Sequence, residues 1–297
     1  MNKRLIAVLC LVLMLVGCAA PAPSSSSEPS SQPEVQVPKE PRFTDSIKIL
    51  AIGNSYTQNA ITYLHPILTD LGVEEVVVAN LFIGGCDLTT HFENTKKDAA
   101  LYDYYKTAAD GTLMKETVKY SIKQGLEDED WDIIVLNQAS AKAGQDMTYT
   151  KLDDLIVYVN EHKTNPDAEL WWHMTWAYHP RNPHTGFAYY DNDQQKMYGK
   201  IVDTVQSMVV PMPEIAGVIP GGTAYQNARA SAGNAFSDSD LHHANADGCY
   251  LLGLTWAAAL TNMDVTQITY APKDVLTADV CRRAAAHAAI TPFAVTE

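Results

Sequence analysis

Ile47-Lys48-Ile49-Leu50-Ala51-Ile52-Gly53-Asn54-Ser55-Tyr56-Thr57 is the stretch on which the reading of this chain turns. Apolar residues run from Ile47 to Ile52 with only Lys48 between them, the pattern of a strand buried on both faces of a mostly parallel sheet. Gly53 ends the run. Beyond Thr57 the spacing changes, and Ile61, Leu64, Leu68 and Leu71 recur three or four apart until Gly72, which predicts a helix with a glycine stop. Ser55 therefore falls on a strand-to-helix turn, at the edge where open α/β sheets bind ligands and beside helix N-terminal amides that can hold an anion. A serine hydroxyl is a poor nucleophile unless a base takes its proton. Ser55 is thus either part of a larger constellation or a plain helix cap.

Further along, Glu75 to Ile83 (EVVVANLFI) predicts a second strand that ends at Gly84-Gly85-Cys86, and Trp131 to Asn137 a third that runs into Gln138-Ala139-Ser140. Glycines after a strand let the main chain approach a ligand closely, so Gly85 can offer an amide to an oxyanion. In a parallel sheet the ends of these three strands share one edge. A fourth strand is expected at Glu169 to Thr175 and a fifth at Ile215 to Ile219, before Pro220-Gly221-Gly222. Helices are expected over Leu113 to Leu126, Leu152 to His162 and Asn192 to Met208. Asp87 to Gly111 is polar and tyrosine-rich and reads as a long loop with helical pieces, whose Tyr102, Tyr104 and Tyr105 could stack on a sugar or simply pack. Between Trp176 and Tyr190 lie several aromatics with His179 and His184. No cysteine is near, and Asp191 and Asp193 stand at no recognisable ligand spacing, so a substrate-side aromatic wall is expected there and no metal.

Asp240 and His243 stand three apart just before an apolar helical pattern through Trp256 and Leu260. An imidazole whose tautomer an aspartate fixes is the general base that a serine requires.

The first residues speak to compartment. Lys3 and Arg4 precede an apolar stretch from Leu5 to Val16, too short to span a bilayer, and Leu15-Val16-Gly17-Cys18 resembles a bacterial lipobox. The expectation is a lipoprotein signal over residues 1–17, lipid on Cys18, and a Pro/Ser-rich tether over 18–45. Such a coil spans on the order of 30 Å. The protein would then sit at the outer face of a cell membrane, anchored but not spanning. Residues 46–297 remain for one large α/β domain.

The chain carries 21 basic and 35 acidic residues, and removal of Lys3 and Arg4 with the signal takes the net charge from −14 to −16. Such a body repels nucleic acid and other polyanions, so a neutral partner is expected. Cys86, Cys249 and Cys281 are the cysteines of the domain, compatible with one pair plus a thiol or with three buried thiols.

Gly53-Asn54-Ser55-Tyr56-Thr57, Ile83-Gly84-Gly85-Cys86, the strand from Trp131 to Ser140, Val218 to Ala224 and Asp240 to Leu252 resemble, in order and spacing, the blocks of the SGNH (GDSL-like) hydrolase superfamily, and within it a secreted bacterial branch known only as a domain of unknown function. The resemblance implies a three-layer α/β/α sandwich of flavodoxin-like type with about five parallel strands. It implies a serine esterase needing no cofactor, with Ser55 as nucleophile, His243 and Asp240 completing the triad, and an oxyanion hole from the amides of Ser55 and Gly85. The superfamily's third block usually reads Gly-x-Asn-Asp, whereas here Asn137-Gln138 comes directly off the strand. Asn137 is the expected third donor and Gln138 the second choice, with His242 a bystander. The activity expected is removal of acetyl or another short acyl group from a glycan; the alternatives are a lipase or lysophospholipase-type esterase, and a glycan-binding lipoprotein without turnover.

Overall fold

The computed structural model describes residues 40–296. The expected signal, Cys18 and all of the tether before Glu40 lie outside the described residues.

The first apolar run forms β1 (Ser46–Gly53), fully buried from Ile49 onward. It pairs in parallel with β2 (Glu75–Phe82) on one side and, on the other, with the strand Ile133–Leu136. That strand, with Glu169–His173 and Ile215–Ile219, continues the parallel sheet. Two further strands lie on the far side of β2, so the seven are numbered in chain order as β3 (Tyr102–Thr107), β4 (Leu113–Tyr120), β5 (Ile133–Leu136), β6 (Glu169–His173) and β7 (Ile215–Ile219). The sheet order is β4-β3-β2-β1-β5-β6-β7. Its parallel part has the flavodoxin-like order, with the order of strand addition reversing between β1 and β5.

β3 and β4 correct the sequence reading, which has loop over the first and helix over the second. They form an antiparallel hairpin added to β2, closed by Ala108 N donating to Thr112 O at 2.8 Å and by Gly111 at φ +80°. Leu113 to Tyr120 alternates charge and apolar residues closely enough to mimic a helix face, yet Lys115 and Lys119 both reach Asp103 across the hairpin, at 2.8 and 2.6 Å. Only a short helix, Ile122–Leu126, follows.

In chain order the helices are α1 (Ser55–Ile61), α2 (Leu64–Asp70), α3 (Leu88–Thr95), α4 (Ile122–Leu126), α5 (Leu152–His162), α6 (Gln194–Met208), α7 (Gly221–Ala232), α8 (Ala246–Thr261) and α9 (Ala278–Ile290). α8 packs against α1, α2, α7 and α9, while α3, α4 and α5 pack on one another. Two groups of helices thus flank the sheet in three layers. α8 is apolar nearly all round and correspondingly buried, as an amphipathic surface helix would not be. Cys86, Cys249 and Cys281 are free, buried thiols.

Candidate active site

The β1–α1 turn is built for one residue set. A Cβ at Gly53 would lie 2.4 Å from Thr57 Oγ1 and 2.6 Å from Asn137 Oδ1, so no side chain fits there. Asn54 is the helix cap: its Oδ1 accepts from Tyr56 N at 3.0 Å and its Nδ2 donates to Cys86 O, also at 3.0 Å. Ser55 is the first helical residue, half-buried, and its own N–H has no acceptor within the helix. Thr57 Oγ1 lies 2.8 Å from Asn54 O and 3.1 Å from the buried Asn80 Oδ1, which ties the turn to β2.

His243 arrives on a closed loop in front of α8. Ser237 and Ala244 form an isolated antiparallel bridge, Asp238 N donates to His243 O at 2.8 Å, and Leu241 N donates to Asp238 O at 2.9 Å. Leu241 adopts φ +67°, a left-handed conformation that costs a side-chain-bearing residue roughly 1–2 kcal/mol. Its carbonyl accepts from His179 N at 3.1 Å and Asn182 Nδ2 at 2.9 Å, which holds the strained residue in place.

From this loop His243 Nε2 reaches to 2.8 Å from Ser55 Oγ, and His243 Nδ1 lies 2.5 Å from Asp240 Oδ2. The carboxylate accepts a hydrogen bond from Nδ1–H and so keeps the proton on that nitrogen, leaving Nε2 as an acceptor facing the serine hydroxyl. Asp240 Oδ1 also accepts from the backbone N–H of His243 at 3.0 Å and of His242 at 3.1 Å. Partial burial pushes the Asp240 carboxyl up, but these hydrogen bonds, led by the one from the His243 ring, outweigh it and hold the group down at about 2. Burial, then the neighbouring His243, push the His242 imidazole below its usual range. Asp240, His242 and His243 bring one ligand atom each within 4.8 Å of one another, a grouping open to a divalent cation. Such a cation would have to take a His243 nitrogen away from Ser55 or from Asp240.

Gly85 sits in the exposed turn after β2 at φ +65°, where nothing approaches a would-be Cβ within 4 Å. The turn is closed by Cys86 N donating to Ile83 O at 3.1 Å and anchored by the Asn54 amide on Cys86 O. Beside it Asp87 caps α3 through Thr90 N at 2.8 Å and pairs with Lys142 from the loop after β5. The turns after β2 and β5 are thereby tied together.

The two expected side-chain donors are committed elsewhere. Asn137 is fully buried, and its Nδ2 donates to Asn54 Oδ1 at 3.2 Å and Gln138 O at 3.1 Å. Gln138 Nε2 donates twice to Thr148, to O and to Oγ1, both at 3.1 Å, and its Oε1 accepts from Leu88 N and Ala139 N. With the short strand β5 ending at Leu136, both amides fall back into the protein and brace loops instead of facing the site. Asn137 supports the cap Asn54, and thus Ser55, from below.

The aromatic wall is corrected as well, while of the two readings left open for the tyrosines, packing holds for Tyr102 and Tyr104. Trp176, Tyr178, Phe187 and Tyr190 are buried instead of lining a wall toward substrate: Trp176 and Tyr178 lie against His242, Phe187 packs edge-on to Tyr178, and the Tyr190 hydroxyl accepts from Gly144 N and donates to Ala141 O in the loop after β5; His184 and Tyr189 stay exposed. His179 Nδ1 and His184 Nδ1 accept from Arg181 N and Gly186 N and shape turns. Tyr102 and Tyr104 are core residues, bonded through their hydroxyls to His91 and Asp128, so they offer no face to a sugar.

Sequence spacing misses three neighbours of the triad. Tyr56 Oη and Trp176 Nε1 both donate to the carbonyl of His242, at 2.9 and 3.0 Å, and Asn59 Oδ1 accepts from Ala244 N at 3.2 Å. Burial pushes the Tyr56 phenol far up, so it remains a donor. Only the adjacency of Tyr56 to Ser55 could have pointed to any of them.

A family model described as a domain of unknown function (DUF4886) matches residues 48–289. The chain belongs to the DUF4886 family. A DUF4886 family protein from Bacteroides uniformis ATCC 8492, known from a crystal structure at 1.50 Å, is 38% identical with a TM-score of 0.81 over 85% of this DUF4886 chain and 98% of that one. Fainter likenesses run to a putative SGNH hydrolase from Slackia heliotrinireducens (18% identity, TM-score 0.48, 73% of this chain and 100% of that one). Another is to a catalytic mutant of Axe2, an acetylxylan esterase from Geobacillus stearothermophilus (10% identity, TM-score 0.49, 72% of this chain and 94% of that one). No curated protein matches the chain.

Proposed function

We propose that this DUF4886 protein is a serine esterase of SGNH type, held at the outer face of a bacterial membrane by lipid on Cys18, that removes acetyl or another short acyl group from a neutral glycan. The observation that carries the reading is the unbroken hydrogen-bonded chain from Ser55 Oγ through His243 to Asp240. In the reaction His243 Nε2 takes the Ser55 proton as Oγ attacks the ester carbonyl, and the backbone N–H groups of Ser55 and Gly85 receive the oxyanion. Collapse of the tetrahedral species expels the sugar alkoxide, which collects the proton from His243. Water then repeats the cycle on the acyl-enzyme, with His243 again as base.

Support for a glycan is chemical. The body is acidic, which disfavours polyanions. Asp240 and the glycine turn stand at the surface, where a polymer can reach them. A panel of short- and long-chain nitrophenyl esters with acetylated xylan, pectin and sialic acids tests the proposal. Ser55-dependent release of acetate supports it; preference for a long acyl chain replaces it with a lipase or lysophospholipase.

The commitment of both side-chain amides favours one second reading, a glycan-binding lipoprotein without turnover. Covalent labelling of Ser55 by a fluorophosphonate removes that reading; glycan binding with no labelling establishes it.

A further inference from the structure

The helix that carries the nucleophile also holds the base. Tyr56, one residue after Ser55, and Asn59, one turn on, reach the main chain on the two sides of His243: Tyr56 Oη donates to the carbonyl of His242 at 2.9 Å, and Asn59 Oδ1 accepts the N–H of Ala244 at 3.2 Å. Trp176, from the segment after β6, adds a second donor to the same His242 carbonyl at 3.0 Å. The donors themselves have little freedom. Tyr56 stacks on Trp176 with ring centroids 3.8 Å apart, Trp176 stacks on Tyr225 at 4.9 Å, and all three rings are buried.

We propose that Tyr56, Asn59 and Trp176 are positioning residues that set the Ser55–His243 distance by gripping the peptide groups flanking His243. The inference rests on the esterase reading above. His243 is separated from Ser55 by 188 positions in sequence, and its own loop is short, with a left-handed leucine at Leu241. The loop's internal hydrogen bonds shape it but do not tie it to α1, which carries Oγ. Fixing both neighbouring peptide groups to α1 makes nucleophile and base one rigid unit, and proton transfer is steeply sensitive to that spacing.

The test compares Tyr56→Phe, which keeps the stacked ring and removes only the donor, with Asn59→Ala and with wild type on two substrates, nitrophenyl acetate and ethyl acetate. Nitrophenolate leaves without help, whereas ethoxide needs the proton that His243 returns. A displaced base should therefore cost about tenfold in kcat/KM, which reports acylation, on nitrophenyl acetate and clearly more on ethyl acetate. Trp176→Phe should repeat the pattern, and Tyr56→Phe with Asn59→Ala should be worse than either alone. Equal losses on the two substrates, tracking a reduced folded fraction by circular dichroism, would make the contacts merely structural and overturn the proposal, as would wild-type rates. If the wild-type protein hydrolyses neither ester, or Ser55→Ala is as active as wild type, the esterase reading itself fails, an outcome distinct from failure of the grip alone.

Discussion

Replacing Asp240 by asparagine tests the site with least disturbance, because the new side chain has the same shape. Asp240 serves three donors: Oδ1 takes the N–H groups of His242 and His243, and Oδ2 takes His243 Nδ1. An asparagine can keep its oxygen on the two backbone N–H groups only by turning its NH2 toward His243. The imidazole must then accept at Nδ1 and carry its proton on Nε2, pointing at Ser55, which is the tautomer that cannot act as a base. Turning the amide the other way restores the tautomer but forfeits two backbone hydrogen bonds, about 1 kcal/mol each at this half-exposed position. Loss of the negative charge that steadies the imidazolium adds roughly 1–2 kcal/mol at a site open to solvent. The total, about 3–4 kcal/mol, corresponds to a fall of two to three orders of magnitude in kcat, at a tenfold loss per 1.36 kcal/mol. Initial rates on nitrophenyl acetate, normalised by titration of active sites, measure it. A variant keeping more than about a third of wild-type kcat would refute the role of Asp240, since no arrangement of asparagine satisfies all three donors.

Ser55→Ala and His243→Ala should each leave less activity than Asp240→Asn, and the double variant should be little worse than either, because the pair acts as one unit; steady-state rates on one ester decide. His242→Ala should stay within about threefold of wild type, since what His242 gives the site is its backbone N–H and carbonyl; a complete loss with His243→Ala active would move the base to His242. Gln138→Ala breaks four hydrogen bonds in a buried side chain and should lower stability by about 2–3 kcal/mol in urea melts while kcat of the folded enzyme holds, whereas Asn137→Ala should lower kcat through Asn54. Burial drives His91 down to about 4 and His173 to about 3, so the unfolded chain binds protons that the folded one refuses as pH falls below about 6.5. Each then removes up to about 1.4 kcal/mol of stability per pH unit down to its folded value, and melts between pH 7 and 4 should show this acid loss flattened in His173→Leu.

The parallel half of the fold was legible because its strands are buried on both faces, so their apolar runs carry no competing pattern. β2 and β5 to β7 fall within the expected stretches, and β1 exceeds its own by one residue at each end. β3 and β4 were not, because β4 is an edge strand with most side chains in solvent, and nothing in its composition obliges a period of two. The Asp110-Gly111 pair between two such runs is a hairpin signal that the helix reading passed over. At the site, Ser55, Asp240 and His243 come together as their types and positions suggest. The amides do not, because sequence shows which side chain carries a donor but not which acceptor has already claimed it. Asn54 Oδ1, itself a cap, claims Asn137 before any oxyanion can.

That claim has a consequence for how the oxyanion is held. With Asn137 and Gln138 turned inward, the donors that remain at the proposed site are main-chain N–H groups, and a main-chain donor is aimed only by the conformation of its turn. Asn54 sets both turns at once: its Oδ1 fixes the start of α1 through Tyr56 N, and its Nδ2 fixes the glycine turn through Cys86 O. Asn137 holds Asn54 in that orientation by donating to the same oxygen. The Asn137 amide, expected to face the substrate, lies one layer down, where it holds the residue that fixes both turns. The base is treated in the same way, since Asp240 and the α1 contacts act on the peptide groups around His243 as much as on its ring. In the proposed mechanism precision is carried by backbone, which buried amides and stacked rings hold in place.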